Sequence, residues 1–299
     1  MACRCSRAPS VRRQFGLDAL TDRSALFMST MTKTASLGMY EFATTRAALD
    51  SLWAAVAQHL RAAGMADVPV HLTRDEPLES IWRGRHLLLA QTCGYPMRTQ
   101  LRGLVRLVAT PVYEVPGCDG TVHRSFIVVR GDAAYRSLAD LRGARAAVNG
   151  IDSNSGMNLF RAALAPVAGG RPMFRHVSIT GAHAASLAAV AEGAADVAAI
   201  DCVSFWFASH ERPEIAARVR VLAETPPSPG LPLVTRRDVS DRDIAILRAA
   251  LIAAADSAAT AAARATLRLA GFAILPDEAY DVVLDYERQA IAAGYPELA

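Results

Sequence analysis

Lysine is almost missing from this chain, because Lys33 is the only lysine among 299 residues. A Schiff base and a phosphate-binding P-loop both need a lysine beside the reacting group. Lys33 precedes the first predicted strand, so the sequence argues against both chemistries. The sequence also lacks the GxGxxG, HExxH and GxSxG motifs, which leaves no signature of a dinucleotide-binding fold, a zinc protease or a serine hydrolase.

Cysteines are few and widely spaced. The five are Cys3, Cys5, Cys93, Cys118 and Cys202, with no CxxC and no Cys/His spacing typical of a metal site. An odd count argues against a complete disulfide framework. The spacing therefore predicts no metal site, no cofactor and a reducing compartment.

Neither charge nor apolar runs point to a macromolecular or membrane partner. The net charge is +3, and no basic run is interleaved with aromatic residues, so nucleic-acid binding is not expected. The Ala-rich stretch 251–263 contains Asp256, Ser257 and Thr260, too polar for the about 20 apolar residues of a spanning helix. Residues 1–33 have no apolar core of signal-peptide length. We expect these residues to form an N-terminal extension. Because no signal peptide is recognisable in them, the sequence favours a cytoplasmic location.

Strand and helix patterns alternate from residue 34 onward. The predicted strands are 35–40, 68–73, 87–92, 105–110, 126–130, 144–148, 174–179, 196–200, 219–224 and 231–235. Apolar residues at helical spacing predict helices after residue 44 and over 183–192, and a mainly helical C-terminal region. Such alternation is typical of an α/β fold with mostly parallel, covered sheets.

Two Pro/Gly-containing segments, 111–120 and 207–213, bracket the central α/β unit. They predict a discontinuous first lobe, 34–119 plus 217–299, and a second lobe, 120–216. A ligand cleft then lies between the lobes, beyond the carboxyl ends of the strands.

The most informative motif is the turn Ser153-Asn154-Ser155-Gly156, between the strand 144–148 and the next helix. Ser and Asn are preferred helix N-caps, and the free amides of a first helical turn bind anions. The turn is thus a candidate oxyanion site. An ordinary N-cap without a ligand is the alternative.

Further polar residues fall at predicted strand ends: Tyr40, Tyr95, His183 and Asp201. Each has a simpler alternative. The tyrosines could be core residues, His183 could be structural, and Asp201 could cap a helix.

In these motifs the chain resembles the PhnD-like phosphonate/phosphate substrate-binding proteins of ABC transporters, over about 36–299. The match rests on Met39-Tyr40, on Ser153–Gly156 where the family often has Ser-Thr-Ser-Gly, on Gly181-Ala182-His183 where it often has Gly-Ser-His, and on Asp201. The resemblance implies a two-lobed type II periplasmic-binding-protein-like fold. It also implies an ABC permease as partner, and a periplasmic or cell-surface location.

The resemblance further implies that Ser153, Asn154 and Ser155 hold the oxygens of a phosphonate, phosphate or related small oxyanion. His183 would donate to the same anion, while Tyr40 and Tyr95 would wall the cleft. Asp201 would accept a bond from a protonated phosphonate oxygen, or from an amino or hydroxyl group of the ligand.

Two other functions stay open at this point. A cytoplasmic ligand sensor or regulatory module would fit the N-terminus. An enzyme related to thiamine-precursor synthesis is less well supported, because nothing in the spacing of Ser155, His183 and Asp201 requires a nucleophile. The sequence favours a binding protein with no catalytic residues.

Overall fold

The computed structural model describes residues 33–299 as a mixed α/β structure. All but Lys33 of the predicted N-terminal extension, 1–33, lies outside the described residues. The strands are β1 Thr34–Ser36, β2 Leu87–Gln91, β3 Val105–Tyr113, β4 Cys118–Asp119, β5 Val122–His123, β6 Ser125–Arg130, β7 Ala144–Val148, β8 Phe174–Ile179, β9 Val197–Asp201, β10 Val219–Glu224, β11 Ser228–Pro229, β12 Leu233–Arg236 and β13 Leu269–Ala273.

The helices alternate with the strands only in part of the chain, since β3 to β7 and β10 to β12 follow one another without an α-helix between them. They are α1 Arg46–Ala62, α2 Leu78–Arg83, α3 Gly94–Arg98, α4 Leu159–Ala168, α5 His183–Ala191, α6 Cys202–Glu211, α7 Pro213–Ala216, α8 Asp241–Asp256, α9 Ala261–Leu267 and α10 Val282–Ala292. In 33–299 no single helix is long and apolar enough to cross a membrane. Asp241–Asp256 and Ala258–Leu267 meet that test only together, with a 70° bend between them.

Two five-stranded sheets organise the fold. One has the order β1-β2-β12-β3-β13 and the other β10-β6-β9-β7-β8. The chain leaves the first sheet after β3, builds the second from β6 to β10, and returns with β12. This distribution favours the predicted lobe boundaries near 120 and 217, which stay a prediction.

The expectation of mostly parallel sheets is wrong. Only β1–β2, β7–β8 and β7–β9 are parallel pairs. The returning strand β12 inserts antiparallel between β2 and β3, and β6 pairs antiparallel with both β9 and β10. A βαβ unit makes its two strands parallel, but a strand that returns from a distant part of the chain can pair in either direction.

Most predicted strands are confirmed, and β7, β8 and β10 have the predicted bounds. The segment 68–73 is not a strand. It is hydrogen-bonded to β1 at one position, where the Thr73 amide donates to the Ala35 carbonyl at 2.7 Å. Pro69 offers no amide proton to a ladder. The predicted strand 35–40 is shorter, because β1 ends at Ser36 and Gly38–Tyr40 forms a 3-10 turn.

Apolar cores cover the sheets and fix the strand ends. Trp53 and Leu60 of α1 and Leu247 of α8 lie in the largest buried cluster, while Phe160 and Leu164 of α4 lie in a second cluster against the other sheet. Helices packed in this way hold the strands in register. The loops at the strand ends therefore start from rigid positions.

Candidate functional site

A cavity of about 630 Å³ lies at these strand ends. Part of its wall comes from the segments after β1 and β2, from α2 and from Leu231 before β12. The rest comes from the segments after β7 and β8 and from the end of β9 with α6. Five of the seven predicted site residues line it: Tyr40, Ser153, Ser155, His183 and Asp201. Asn154 and Tyr95 do not belong to the lining.

The predicted turn begins at Ser153, whose hydroxyl accepts a hydrogen bond from the Gly156 amide at 3.0 Å. The backbone then forms a π-helical turn over Asn154–Asn158 before α4 starts. π-helical turns are rare in proteins, and those that occur often lie at functional sites. Gly156 has no room for a side chain, since a Cβ there would lie 1.8 Å from Asn149 Oδ1 and 3.1 Å from His183 Cε1.

Ser155 and His183 form a polar pair in the cavity wall. Ser155 Oγ lies 2.9 Å from His183 Nε2. Burial is the main reason that the pKa of His183 lies below its usual value. The ring is therefore neutral at neutral pH, and together with the serine hydroxyl it can donate to an anion without carrying a charge.

Asp201 and Tyr40 form a second polar pair. Asp201 Oδ1 accepts from the amides of Val203 and Ser204, both at 3.0 Å, and so caps α6. The Tyr40 hydroxyl donates to Asp201 Oδ2 at 3.1 Å. Burial, followed by the charge of Asp201, raises the pKa of Tyr40 well above its usual value. The capping role considered for Asp201 is therefore present, and the carboxylate also faces the cavity.

Asn154 and Tyr95 are engaged elsewhere. The Asn154 amide group donates to Ser228 Oγ at 2.9 Å and accepts from Asn158 at 3.1 Å, and its backbone amide donates to Cys93 Sγ at 3.2 Å. The Tyr95 hydroxyl donates to Glu287. These contacts give both side chains structural partners, and a direct ligand contact from either stays an untested prediction.

The charged residues of the lining are acidic and mostly paired. None of the described lining residues is a lysine or an arginine. Glu41 pairs with Arg74 at 2.6 Å, and Glu79 pairs with Arg83 at 3.0 Å. Glu211 accepts bonds from the Thr44 amide at 2.7 Å and hydroxyl at 2.8 Å. An anion in this cavity would therefore meet neutral donors rather than cations.

Sequence reasoning missed several polar residues of the wall, among them Glu41, Asn149, Ser204 and Glu211. The Oδ1 atom of Asn149 is buried without a hydrogen-bond partner. It packs against Gly156, since a Cβ there would lie 1.8 Å from it. Asn149 directly follows β7, so the strand-end rule that selected the Ser153 turn would also have found it.

The three residues considered for catalysis do not form a relay. Ser155 contacts His183, but His183 Nδ1 makes no side-chain hydrogen bond. The Asp201 oxygens are held by the amides of α6 and by Tyr40. A serine nucleophile needs a histidine that is itself oriented by a carboxylate or similar group.

Comparison with known proteins relates the chain to a family. The family model described as "ABC transporter, phosphonate, periplasmic substrate-binding protein" matches residues 43–280. That range contains six of the seven predicted site residues, all except Tyr40. A search of curated proteins finds no match.

Solved structures share the fold. A binding-protein component of an ABC phosphonate transporter from Pseudomonas aeruginosa matches with a TM-score of 0.68 and 19% identity, covering 88% of each chain. PhnD1 from Prochlorococcus marinus, in complex with methylphosphonate, matches with a TM-score of 0.67 and 15% identity, covering 86% of this chain and 97% of PhnD1. A Xanthomonas citri protein bound to ATP matches with a TM-score of 0.66 and 18% identity, over 88% and 97% of the two chains. These likenesses confirm the type II periplasmic-binding fold.

Proposed function

The chain belongs to the family of phosphonate ABC-transporter periplasmic substrate-binding proteins, and we propose that its cleft binds a phosphonate, a phosphate or a related small oxyanion. Family membership makes it a solute-binding protein for ABC uptake and not an enzyme. It also favours uptake over the sensor alternative. We also propose that an ABC permease is its partner and that the periplasm is its compartment.

The observation that carries the proposal is the Ser155–His183 pair beside the Ser153 turn. Two hydroxyls and a neutral imidazole lie in one wall of the 630 Å³ cavity. Hydrogen bonds to a charged group are each worth about 1.5–3 kcal/mol net. If the ligand replaces the mutual Ser155–His183 bond, three such bonds give about 4.5–9 kcal/mol, which corresponds to affinities from roughly millimolar to micromolar.

The cavity also favours a ligand that carries a donor. Asp201 lines it as a carboxylate and accepts from Tyr40. An amino group, a hydroxyl or a protonated phosphonate oxygen would give this carboxylate a further partner. Within the oxyanion class, the acidic lining therefore favours an aminoalkylphosphonate over inorganic phosphate.

Closure of two lobes around the ligand is the mechanism that we propose. Residues attached to the two sheets already contact each other across the cleft: Thr44 donates to Glu211, and Gln100 Nε2 donates to Asp152 at 3.0 Å. These are exposed bonds that a modest opening would exchange for water. Small-angle scattering with and without methylphosphonate tests closure, which predicts a smaller radius of gyration with ligand.

A thermal-shift and calorimetry panel tests the binding proposal. It compares phosphate, methylphosphonate and 2-aminoethylphosphonate with sulfate and acetate. A ligand at 100 times its Kd should stabilise the protein by about 2.7 kcal/mol. No stabilisation by any phosphorus oxyanion at millimolar concentration would contradict the assignment.

Two substitutions in the same turn locate the bound anion. Ser155→Ala should weaken binding by about 10- to 100-fold, because it removes a donor from the cavity. Asn154→Ala should instead lower the free energy of unfolding by about 1–3 kcal/mol, because it leaves buried partners unsatisfied, with little change in affinity. Equal affinity of Ser155→Ala and the unmodified protein would exclude this serine from the site.

A further inference from the structure

Three potential metal ligands meet behind the cleft, although the spacing of cysteine and histidine in the sequence predicts no metal site. Cys118 lies on β4, His123 on β5, and Cys202 is the first residue of α6. Their ligand atoms all lie within 4.8 Å of one another. We call these three residues the crossing cluster, because the chain passes between the two sheets at β4 and β5.

The histidine of the crossing cluster packs its ring edge-on against Tyr113, with 5.9 Å between the ring centroids. His123 is 3% exposed, and neither of its ring nitrogens has a hydrogen-bond partner. A buried imidazole without partners is unfavourable, so native structures normally satisfy it. Cys202 is fully buried and Cys118 is half-buried, which leaves the cluster one approach from solvent, beside Cys118.

Two glycines make room for the crossing cluster. A Cβ at Gly117 would lie 2.7 Å from Cys202 Cβ and 3.4 Å from Cys202 Sγ. A Cβ at Gly230 would lie 2.7 Å from His123 Nε2. Close backbone approach to two members of the cluster indicates a built site and not a chance meeting of side chains.

The distance between the sulfur atoms is compatible with a shared metal ion. Cys118 Sγ lies 3.5 Å from Cys202 Sγ. A disulfide needs about 2.05 Å, whereas two thiolates bound to one tetrahedral zinc at about 2.3 Å lie about 3.8 Å apart. Two thiolates and one imidazole match the ligand types that Zn²⁺ prefers, and their charges neutralise a divalent ion.

We propose that Cys118, His123 and Cys202 bind a Zn²⁺ ion, with the fourth position left to water. Three protein ligands with one open position are an established zinc arrangement. The ion would join β4 and β5 to the start of α6. The return segment would be held as well, because β11 pairs with β5. The ion would therefore fix the crossing between the two sheets.

Metal titration of the full chain tests this proposal. A Cys3→Ser/Cys5→Ser background removes the remaining thiols outside 33–299. The reduced, metal-free protein is titrated with Zn²⁺ against a chromophoric chelator. We expect one Zn²⁺ per chain, together with a higher Tm. Co²⁺ should give a thiolate-to-cobalt charge-transfer band and the visible bands of tetrahedral geometry.

Matched variants assign the ligands. Cys118→Ser, Cys202→Ser and His123→Gln should each weaken Zn²⁺ binding by at least about 100-fold. Cys93→Ala, at another buried cysteine, and His59→Gln, at an exposed histidine, should retain the unmodified affinity. If a variant fails to fold, the Co²⁺ spectrum of the unmodified cluster still decides between the outcomes.

Three results would overturn the proposal. One is the absence of stoichiometric Zn²⁺ binding by the reduced protein. Another is binding that survives all three cluster substitutions. The third is a Co²⁺ complex without thiolate charge transfer. A Cys118–Cys202 disulfide that re-forms in the presence of Zn²⁺, shown by peptide mass spectrometry, would likewise favour a redox pair over a metal site.

Discussion

Asp201 and Cys202 are consecutive residues, yet their side chains enter two regions of different chemistry. Asp201 faces the cleft and bonds to Tyr40. Cys202 turns to the opposite side and meets Cys118. The junction of β9 and α6 thus supplies one residue to the open cleft and the next residue to an enclosed group of sulfur and imidazole atoms.

The regions differ in their access to water, since both contain unsatisfied polar atoms: Asn149 Oδ1 and His183 Nδ1 in the cleft, and the ring nitrogens of His123 in the crossing cluster. In the cleft, Ser153, Ser155, Tyr40 and Asp201 already have hydrogen bonds within the protein, so a ligand adds bonds at the face that is open to water. In the crossing cluster, the His123 nitrogens have none. The first region suits an exchangeable solute, and the second suits a resident ion.

Gly156→Ala should show the largest difference between the two regions, with a strong effect on phosphonate binding and none on Zn²⁺ binding. The new Cβ would lie 1.8 Å from Asn149 Oδ1, so the Ser153 turn or Asn149 has to move. We expect methylphosphonate affinity to fall by at least about 100-fold, or roughly 2.7 kcal/mol, while Zn²⁺ affinity is retained. Calorimetry measures both.

Gly271→Ala is the control for that substitution, since a Cβ at Gly271 meets nothing within 4 Å. It should leave both affinities unchanged. Normal phosphonate binding by Gly156→Ala would show that the turn does not shape the site.

A pair of tyrosine substitutions tests which aromatic residue belongs to the cleft. Tyr40→Phe removes the bond to Asp201 and should weaken phosphonate binding by about tenfold, or about 1.4 kcal/mol. Tyr95→Phe should leave the affinity unchanged, because its hydroxyl donates to Glu287 and lies outside the lining. Calorimetry that finds the reverse order would assign Tyr95 to the site, as the family resemblance implies.

Cys202→Ser should have a smaller effect on the cleft. Asp201 is held by its own bonds to the α6 amides, so we expect methylphosphonate affinity to stay within about threefold, while Zn²⁺ binding is lost. A much larger loss of phosphonate affinity would mean that the two regions act as one.

The smallest expected effect is on the pH dependence of stability. Burial lowers the pKa of folded His183, and the unfolded value is about 6.5. The unfolded state therefore binds more protons in the window below about 6.5, and stability falls as the pH drops through it. His183→Gln should flatten the decline in Tm between about pH 6.5 and 5; an unchanged slope would contradict the assignment.

The cleft was largely predictable from sequence because its signals are local. The Ser153 turn, His183 and Asp201 each directly follow or end a strand whose apolar pattern is clear. Once strands are placed, the geometry of a sheet brings their ends together. The strand prediction failed at 68–73, where Pro69 and the lack of a ladder partner outweigh the apolar pattern, and it missed β13 in the region predicted to be mainly helical.

Side-chain direction and distant contacts were not predictable. Tyr95 turns toward Glu287, which lies 192 residues away in the chain, and Asn154 turns toward Ser228. The crossing cluster joins Cys118 to Cys202 across 84 residues, so no spacing rule for metal ligands applies to it. Such contacts depend on how the lobes pack, which local patterns do not encode.

The most direct test of the account is a crystal structure with methylphosphonate bound. We expect the phosphonate oxygens within about 2.7–3.2 Å of Ser155 Oγ and His183 Nε2, with Tyr40 and Asp201 also in the wall around the ligand. A phosphonate bound in the cleft without contact to either Ser155 or His183, or bound outside the cleft, would contradict it.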